Sequence, residues 1–139
     1  MEQFFPQPAE ALASSPEADF TVFLVENDEA ARHSLVASLD ALGFDVKSFE
    51  SCEEYLASAD TLGKGCLLLD YHFNGMSGLD LLDRLDAAGF SVPTILISGR
   101  FGGFLRKRAP GIPNVVTVLD KPLKGRDLLE ALRLAQLRL

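Results

Sequence analysis

Acidic, hydroxyl and basic side chains stand in this sequence at the ends of short apolar runs. Glu26, Asn27 and Asp28 follow Phe20–Val25 (FTVFLV), and Asp70 follows Cys66–Leu69. Ser98 closes Thr94–Ser98 with Gly99 behind it, and Lys121-Pro122 comes just after Val115–Leu119. A carboxylate can attack phosphorus and become an acyl phosphate, dividing one difficult transfer into two easier ones. Neighbouring oxygen donors suit Mg2+, which prefers six oxygens and keeps several waters. A divalent ion and a lysine ammonium neutralise charge growing on phosphoryl oxygens. A hydroxyl can hydrogen-bond such an oxygen, and a residue as small as Gly99 leaves the approach open. Each residue alone also has an ordinary reading. A strand-end Asp can cap or turn, Glu26 and Asp28 suit the dipole of a following helix, and Asn27 suits an Asx turn. Ser98 could bond only backbone, and Lys121 could be a surface lysine.

The elements that would position these residues alternate regularly from Phe20 onward. Phe20–Val25 reads as a strand covered on both faces. Asp28–Leu42 carries Ala31, Leu35, Leu39 and Leu42 at helical spacing, with Gly43 fit for a C-cap. Phe44–Phe49 alternates like a strand, and Ser51–Ala59 reads as a helix opened by a Ser cap with Glu54 three residues on. Cys66–Leu69 is a buried strand, and Gly78–Ala88 is a helix with Leu79, Leu82 and Leu85 on one face, closed by Gly89. Thr94–Ser98 and Val115–Leu119 are further strands, and Lys124–Leu139 is a closing helix. Between them, the glycines and prolines of Gly99–Asn114 leave room for about two turns of helix, around Phe104 to Ala109. Five β-α units with apolar strands predict an α/β fold, a parallel sheet with helices on both faces. Ligands of such sheets bind beyond the carboxyl ends of the strands, where the strand order reverses. That is where the acids, the hydroxyl and the lysine converge.

The chain of 139 residues has the length of one domain, and its 47% apolar content can bury a core. Residues 1–19, with Pro6, Pro8 and Pro16, read as a flexible N-terminal extension in which Phe4 and Phe5 could dock on a surface. The apolar runs are too short to span a bilayer. Met1–Pro8 lacks the basic start and apolar stretch of a secretory signal, so a cytoplasmic protein without membrane contact is expected. A net charge of −7 disfavours direct nucleic-acid binding. The basic residues nevertheless cluster, as Arg100, Arg106, Lys107 and Arg108 and then Lys121, Lys124 and Arg126. They form either a solvated face or an anion-binding patch. Cys52 and Cys66 lack CxxC spacing and read as small buried hydrophobes.

Four stretches together resemble the receiver domain of response regulators in two-component signalling, over nearly all of Phe20 to Leu139. FLVENDEAARHSL is similar to that family's first strand and acidic loop, with Arg32 in place, and LLLDYHFNGMSGLDLL to its phosphoacceptor strand and loop. ILISG and LDKP are similar to its hydroxyl and lysine motifs. The resemblance implies a flavodoxin-like, doubly wound, five-stranded sheet of order 2-1-3-4-5, with residues 20–139 as the receiver. It implies Asp70 as phosphoacceptor, Glu26 and Asn27 in the acidic-pair positions, and the main-chain carbonyl of His72 as a further Mg2+ contact. Ser98 would be the switch hydroxyl and Lys121 the phosphate-binding lysine, with a Lys121-Pro122 bond that is often cis in such domains. The phosphoryl donor would be a histidine kinase or phosphotransfer protein. The output would pass to a downstream protein partner or an output domain of a longer regulator. Such a domain is not an enzyme, beyond catalysing its own phosphorylation and dephosphorylation.

The sequence also departs from the family. Asn27 replaces a carboxylate, and one unit charge about 4 Å from a divalent ion is worth roughly 8 kcal/mol gross, most of it offset by desolvation. Weaker Mg2+ binding is expected, with adjacent Asp28 able to compensate in part. Phe73-Asn74 replaces the usual Met-Pro, and Val118 stands where an aromatic normally moves with the hydroxyl. The mobile part is therefore expected at Arg100–Asn114, with Phe101 and Phe104 changing exposure. These departures motivate an alternative, a pseudo-receiver binding module that does not depend on phosphorylation. A small aspartate-nucleophile phosphatase fits poorly, because His72 stands where a second acid belongs. The side chains of His33 and His72 are expected to face solvent. Leu128, Leu129, Leu132 and Leu139 are expected in the core, whereas Leu134 and Leu137 lie off that stripe and could support a partner contact.

Overall fold

The computed structural model describes residues 20–71 and 76–139. Its strands are β1 (Thr21–Val25), β2 (Asp45–Phe49), β3 (Gly65–Asp70), β4 (Thr94–Ser98) and β5 (Val115–Asp120). The helices among the described residues are α1 (Glu29–Ala41), α2 (Cys52–Ser58), α3 (Gly78–Ala87), α4 (Gly102–Arg108) and α5 (Gly125–Gln136). All strand pairs are parallel, in the order β2-β1-β3-β4-β5. The fold class is as the sequence predicts, and the strand order is the one the receiver resemblance implies.

Successive side chains of a strand point to opposite faces, and the central strands feed two cores in that way. Phe23, Leu67, Leu69 and Leu96 join Leu81 and Leu85 of α3 and Leu105 of α4 on one face. Val22, Leu24, Cys66, Leu68, Ile95 and Ile97 join Leu39 of α1 and Leu128 and Leu132 of α5 on the other. Each fully buried large side chain contributes about 1.5–3 kcal/mol relative to exposure.

The helix ends follow their local sequence. The Asp28 carboxylate accepts the N–H of Ala31 at 2.8 Å, and Ser51 Oγ accepts that of Glu54 at 3.0 Å. Glu54 reaches back to the N–H of Glu50, one residue beyond the expected reciprocal partner. Ser77 and Asp80 form the full reciprocal cap at α3. Gly43 (φ +92°) and Gly89 (φ +86°) close α1 and α3 in the left-handed region that favours glycine.

The differences from expectation are local. β3 runs on through Asp70, so this residue ends the strand rather than following it. α4 begins at Gly102, earlier than expected, and tightens into a 3-10 turn at Ala109–Gly111. Pro110 allows that tighter turn because no further α-helical N–H is needed from it. α5 ends at Gln136, so Leu139 lies past the helical phase and is 57% exposed instead of entering the core. Leu134 and Leu137 are exposed, and so is His33. Residues 1–19, His72 and Phe73-Asn74 lie outside the described residues.

Candidate functional site

The chain leaves β1 outward to β2 and returns to β3, so the strand order reverses between β1 and β3. Val25 pairs with Leu69 in register, which sets Glu26 beside Asp70 at the carboxyl edge of the sheet. Both are buried, Glu26 at 1% exposure and Asp70 at 7%.

Glu26 is held from every side. Its N–H donates to the Phe49 carbonyl at 3.1 Å, and its carbonyl accepts Arg32 Nη1 at 3.0 Å. Oε2 accepts the Asp28 N–H at 3.1 Å, and Oε1 accepts Lys121 Nζ at 3.3 Å. Lys121 also stands 3.0 Å from Asp70 Oδ1, so one ammonium bridges two buried carboxylates. Its backbone N–H donates to the Ser98 carbonyl at 2.9 Å, and the Lys121-Pro122 bond is cis. Ser98 is buried, and its Oγ accepts the N–H of Phe101 at 2.6 Å. A Cβ at Gly99 would meet only the Lys121 side chain, at 3.8 Å.

The electrostatics follow from this crowding. Burial and the neighbouring Glu26 charge push the Asp70 carboxyl from 3.8 up to about 6, against the lowering effect of Lys121. For Lys121, burial works to lower the pKa, but the hydrogen bond to Asp70 and the charges of Asp70 and Glu26 outweigh it and leave the group raised.

Glu26, Asp70, Ser98 and Lys121 therefore converge as expected. Asn27 lies next to them but is exposed. Asp28 caps α1 through Oδ2, and its exposed carboxylate keeps a second oxygen. His72 falls outside the described residues. Among the described residues no group of three His, Cys, Asp or Glu gathers for a metal. Two carboxylates with an amide beside them still suit a Mg2+ ion that keeps several waters, with less charge than three acids provide.

A neighbouring set is joined by contacts that the sequence does not announce. Tyr71, buried directly after Asp70, packs edge-on against Phe101 with centroids 5.7 Å apart and lies 6.4 Å from Phe104. Arg108 stacks over the Phe104 ring at 5.5 Å. Arg106 forms a two-pronged pair with Asp120. The aromatic residues were visible singly in the sequence, but no spacing signal joins them across β3 and α4.

Residues 22–133 match the family described as response regulator receiver domain. The chain belongs to the response regulator receiver family. The receiver is 32% identical over 115 residues to transcriptional regulatory protein TdiR of Thauera aromatica, covering 83% of this chain and 50% of the relative. It is 32% identical over 117 residues to transcriptional regulatory protein FixJ of Rhizobium meliloti, covering 84% and 57%. The chain thus spans about half the length of the curated relatives it matches. The crystal structure of FixJ-N superposes with a TM-score of 0.77 at 31% identity, covering 87% of this chain and 96% of that one. Receivers of this family act in two-component signal transduction and generally use Mg2+ at the phosphorylation site. They receive their signal from histidine kinases and are generally not enzymes. No described helix of this receiver is long and apolar enough to cross a membrane.

Proposed function

We propose that this receiver accepts a phosphoryl group on Asp70 from a histidine kinase or phosphotransfer protein, and signals by protein contact. The observation that carries the reading is the Lys121 ammonium bridging Asp70 and Glu26, with the Ser98 hydroxyl on the adjoining strand end. Ionised Asp70 supplies the nucleophilic oxygen, more basic than an ordinary aspartate because its pKa is raised, and as its O–P bond forms the P–N bond to the donor histidine breaks and the imidazole leaves. Lys121 balances charge on the incoming phosphoryl oxygens, and Ser98 donates its hydroxyl proton to one of them. Its accepting bond from Phe101 leaves that proton free to do so. Glu26, Asn27, Asp70 and the His72 carbonyl would hold Mg2+. The ion, when bound, screens the negative charge between donor and acceptor.

Residues 20–139 form the receiver in this reading, and residues 1–19 an N-terminal extension. The domain is cytoplasmic, catalyses its own phosphorylation and dephosphorylation, and addresses a downstream protein or an output domain rather than nucleic acid directly. The decisive experiment is mass spectrometry after incubation with acetyl phosphate and Mg2+. The parent should gain one phosphoryl group that is labile to base, and Asp70→Asn should not. Undiminished labelling of Asp70→Asn would remove Asp70 from the role. The exposed Asn27 favours a second reading, a pseudo-receiver that binds partners without phosphate. Absence of any spectral change with Mg2+ and beryllofluoride would select it.

A further inference from the structure

Val118 offers no ring to follow the Ser98 hydroxyl, but its backbone is gripped by α4. Arg106 Nη2 donates to the Val118 carbonyl at 3.2 Å. The same guanidinium makes a fork with Asp120, Nη1 to Oδ1 at 3.1 Å and Nη2 to Oδ2 at 2.9 Å. Gly102, one turn earlier, packs so close that a Cβ there would collide with the Asp120 carboxylate and with Arg106. Asp120 is the last residue of β5, and Lys121 follows it.

These contacts close a ring. Lys121 donates its backbone N–H to Ser98, Ser98 Oγ accepts the Phe101 N–H, and the Phe101 carbonyl accepts the N–H of Leu105 in α4. α4 carries Arg106, which returns through Asp120 to Lys121. The Ser98 hydroxyl and the Lys121 backbone are thus tied to one short helix. An exposed ion pair alone contributes little, and these two side chains are about half exposed, at 49% and 57%. The fork geometry and the third bond to a β5 carbonyl set this pair apart, because all three bonds must break before α4 leaves β5.

Resting on Asp70 as phosphoacceptor, we propose that Arg106 and Asp120 are positioning residues that fix the strand end from which Lys121 reaches Asp70, and so make α4 answer to the phosphoryl site. Neither touches the reacting atoms. Motion of Lys121 toward a phosphoryl oxygen pulls on Asp120 and the Arg106 fork, and α4 moves or loosens with them.

The test uses the full chain, Mg2+ and beryllofluoride, reading beryllofluoride affinity by calorimetry and hydrogen exchange across 102–111. The parent should bind and change its exchange there. Arg106→Ala and Asp120→Asn should bind about fivefold more weakly, the loss expected for one good charge-assisted contact. Their α4 exchange should already be fast and no longer respond. Arg106→Lys, which cannot make the fork, should fall between. If Arg106→Ala fails to fold, the isosteric Asp120→Asn carries the test. Variants that lose thermal stability while keeping parental affinity and a parental α4 response would overturn the proposal alone. A parent that does not respond to beryllofluoride would overturn the phosphoacceptor reading and this one with it.

Discussion

Lys121 Nζ lies 3.0 Å from Asp70 Oδ1, yet the Asp70 carboxyl still sits at about 6. A cation at that distance ordinarily lowers a carboxyl pKa. Here burial of Asp70, reinforced by the charge of Glu26 with which the ammonium is shared, outweighs the cation. The site therefore holds negative charge under strain, as suits an acceptor awaiting a cation and a phosphoryl group.

That strain makes Asp70 a cost to stability at neutral pH. The folded-state pKa of about 6 exceeds the ordinary 3.8, so the folded state holds more protons between them and stability falls as pH rises through that window. Asp70→Asn removes the ionisation and should raise unfolding free energy at pH 7.5 by roughly 3 kcal/mol, the lowering effect of Lys121 being already contained in that shift. The gain should shrink toward zero below about pH 4, where the unfolded acid is protonated as well. Urea unfolding of both proteins at several pH values measures this. A pH-independent difference would contradict the assigned shift.

Asn27→Asp should tighten Mg2+ binding about tenfold, since only a fraction of the gross Coulomb gain survives desolvation. Calorimetric titration of the metal alone is sufficient. An unchanged or weaker affinity would place residue 27 away from the ion.

Asp28→Ala separates the two roles available to that residue. Loss of its 2.8 Å bond to the Ala31 N–H should lower stability by about 1 kcal/mol. Because the carboxylate serves the helix, Mg2+ affinity should stay within about twofold of the parent. A much larger loss of affinity would return Asp28 to the metal site.

Beryllofluoride should chiefly alter exchange across Arg100–Asn114, with Phe101 and Phe104 changing exposure. Phe101 links the two ends of this response, since its N–H donates to Ser98 Oγ at 2.6 Å and its ring packs on Tyr71 beside Asp70. The short α4, closed by a 3-10 turn, is a segment of low expected local stability. Ser98→Ala should abolish the response while leaving Mg2+ binding intact. Protection that changes at Val115–Leu119 while Arg100–Asn114 stays constant would move the relay into β5.

The β-α frame and the four strand-end residues that meet at the site were legible in the residues themselves, and the strand order through the family resemblance. Those signals are local. Apolar runs such as Cys66–Leu69 and the cap Ser51 act within a few residues, and parallel connectivity then brings strand ends to one edge. How these residues share charge and partners depends on the packing of distant elements. Asp28 lends one carboxylate oxygen to the cap of α1, Lys121 bridges Asp70 and Glu26, and Leu139 lies outside the core because α5 stops at Gln136. Arg106 and Asp120 stand 14 residues apart on different elements, and no periodicity pairs them. Their meeting depends on α4 lying over the end of β5, where Gly102 leaves room for the two side-chain ends by having no Cβ.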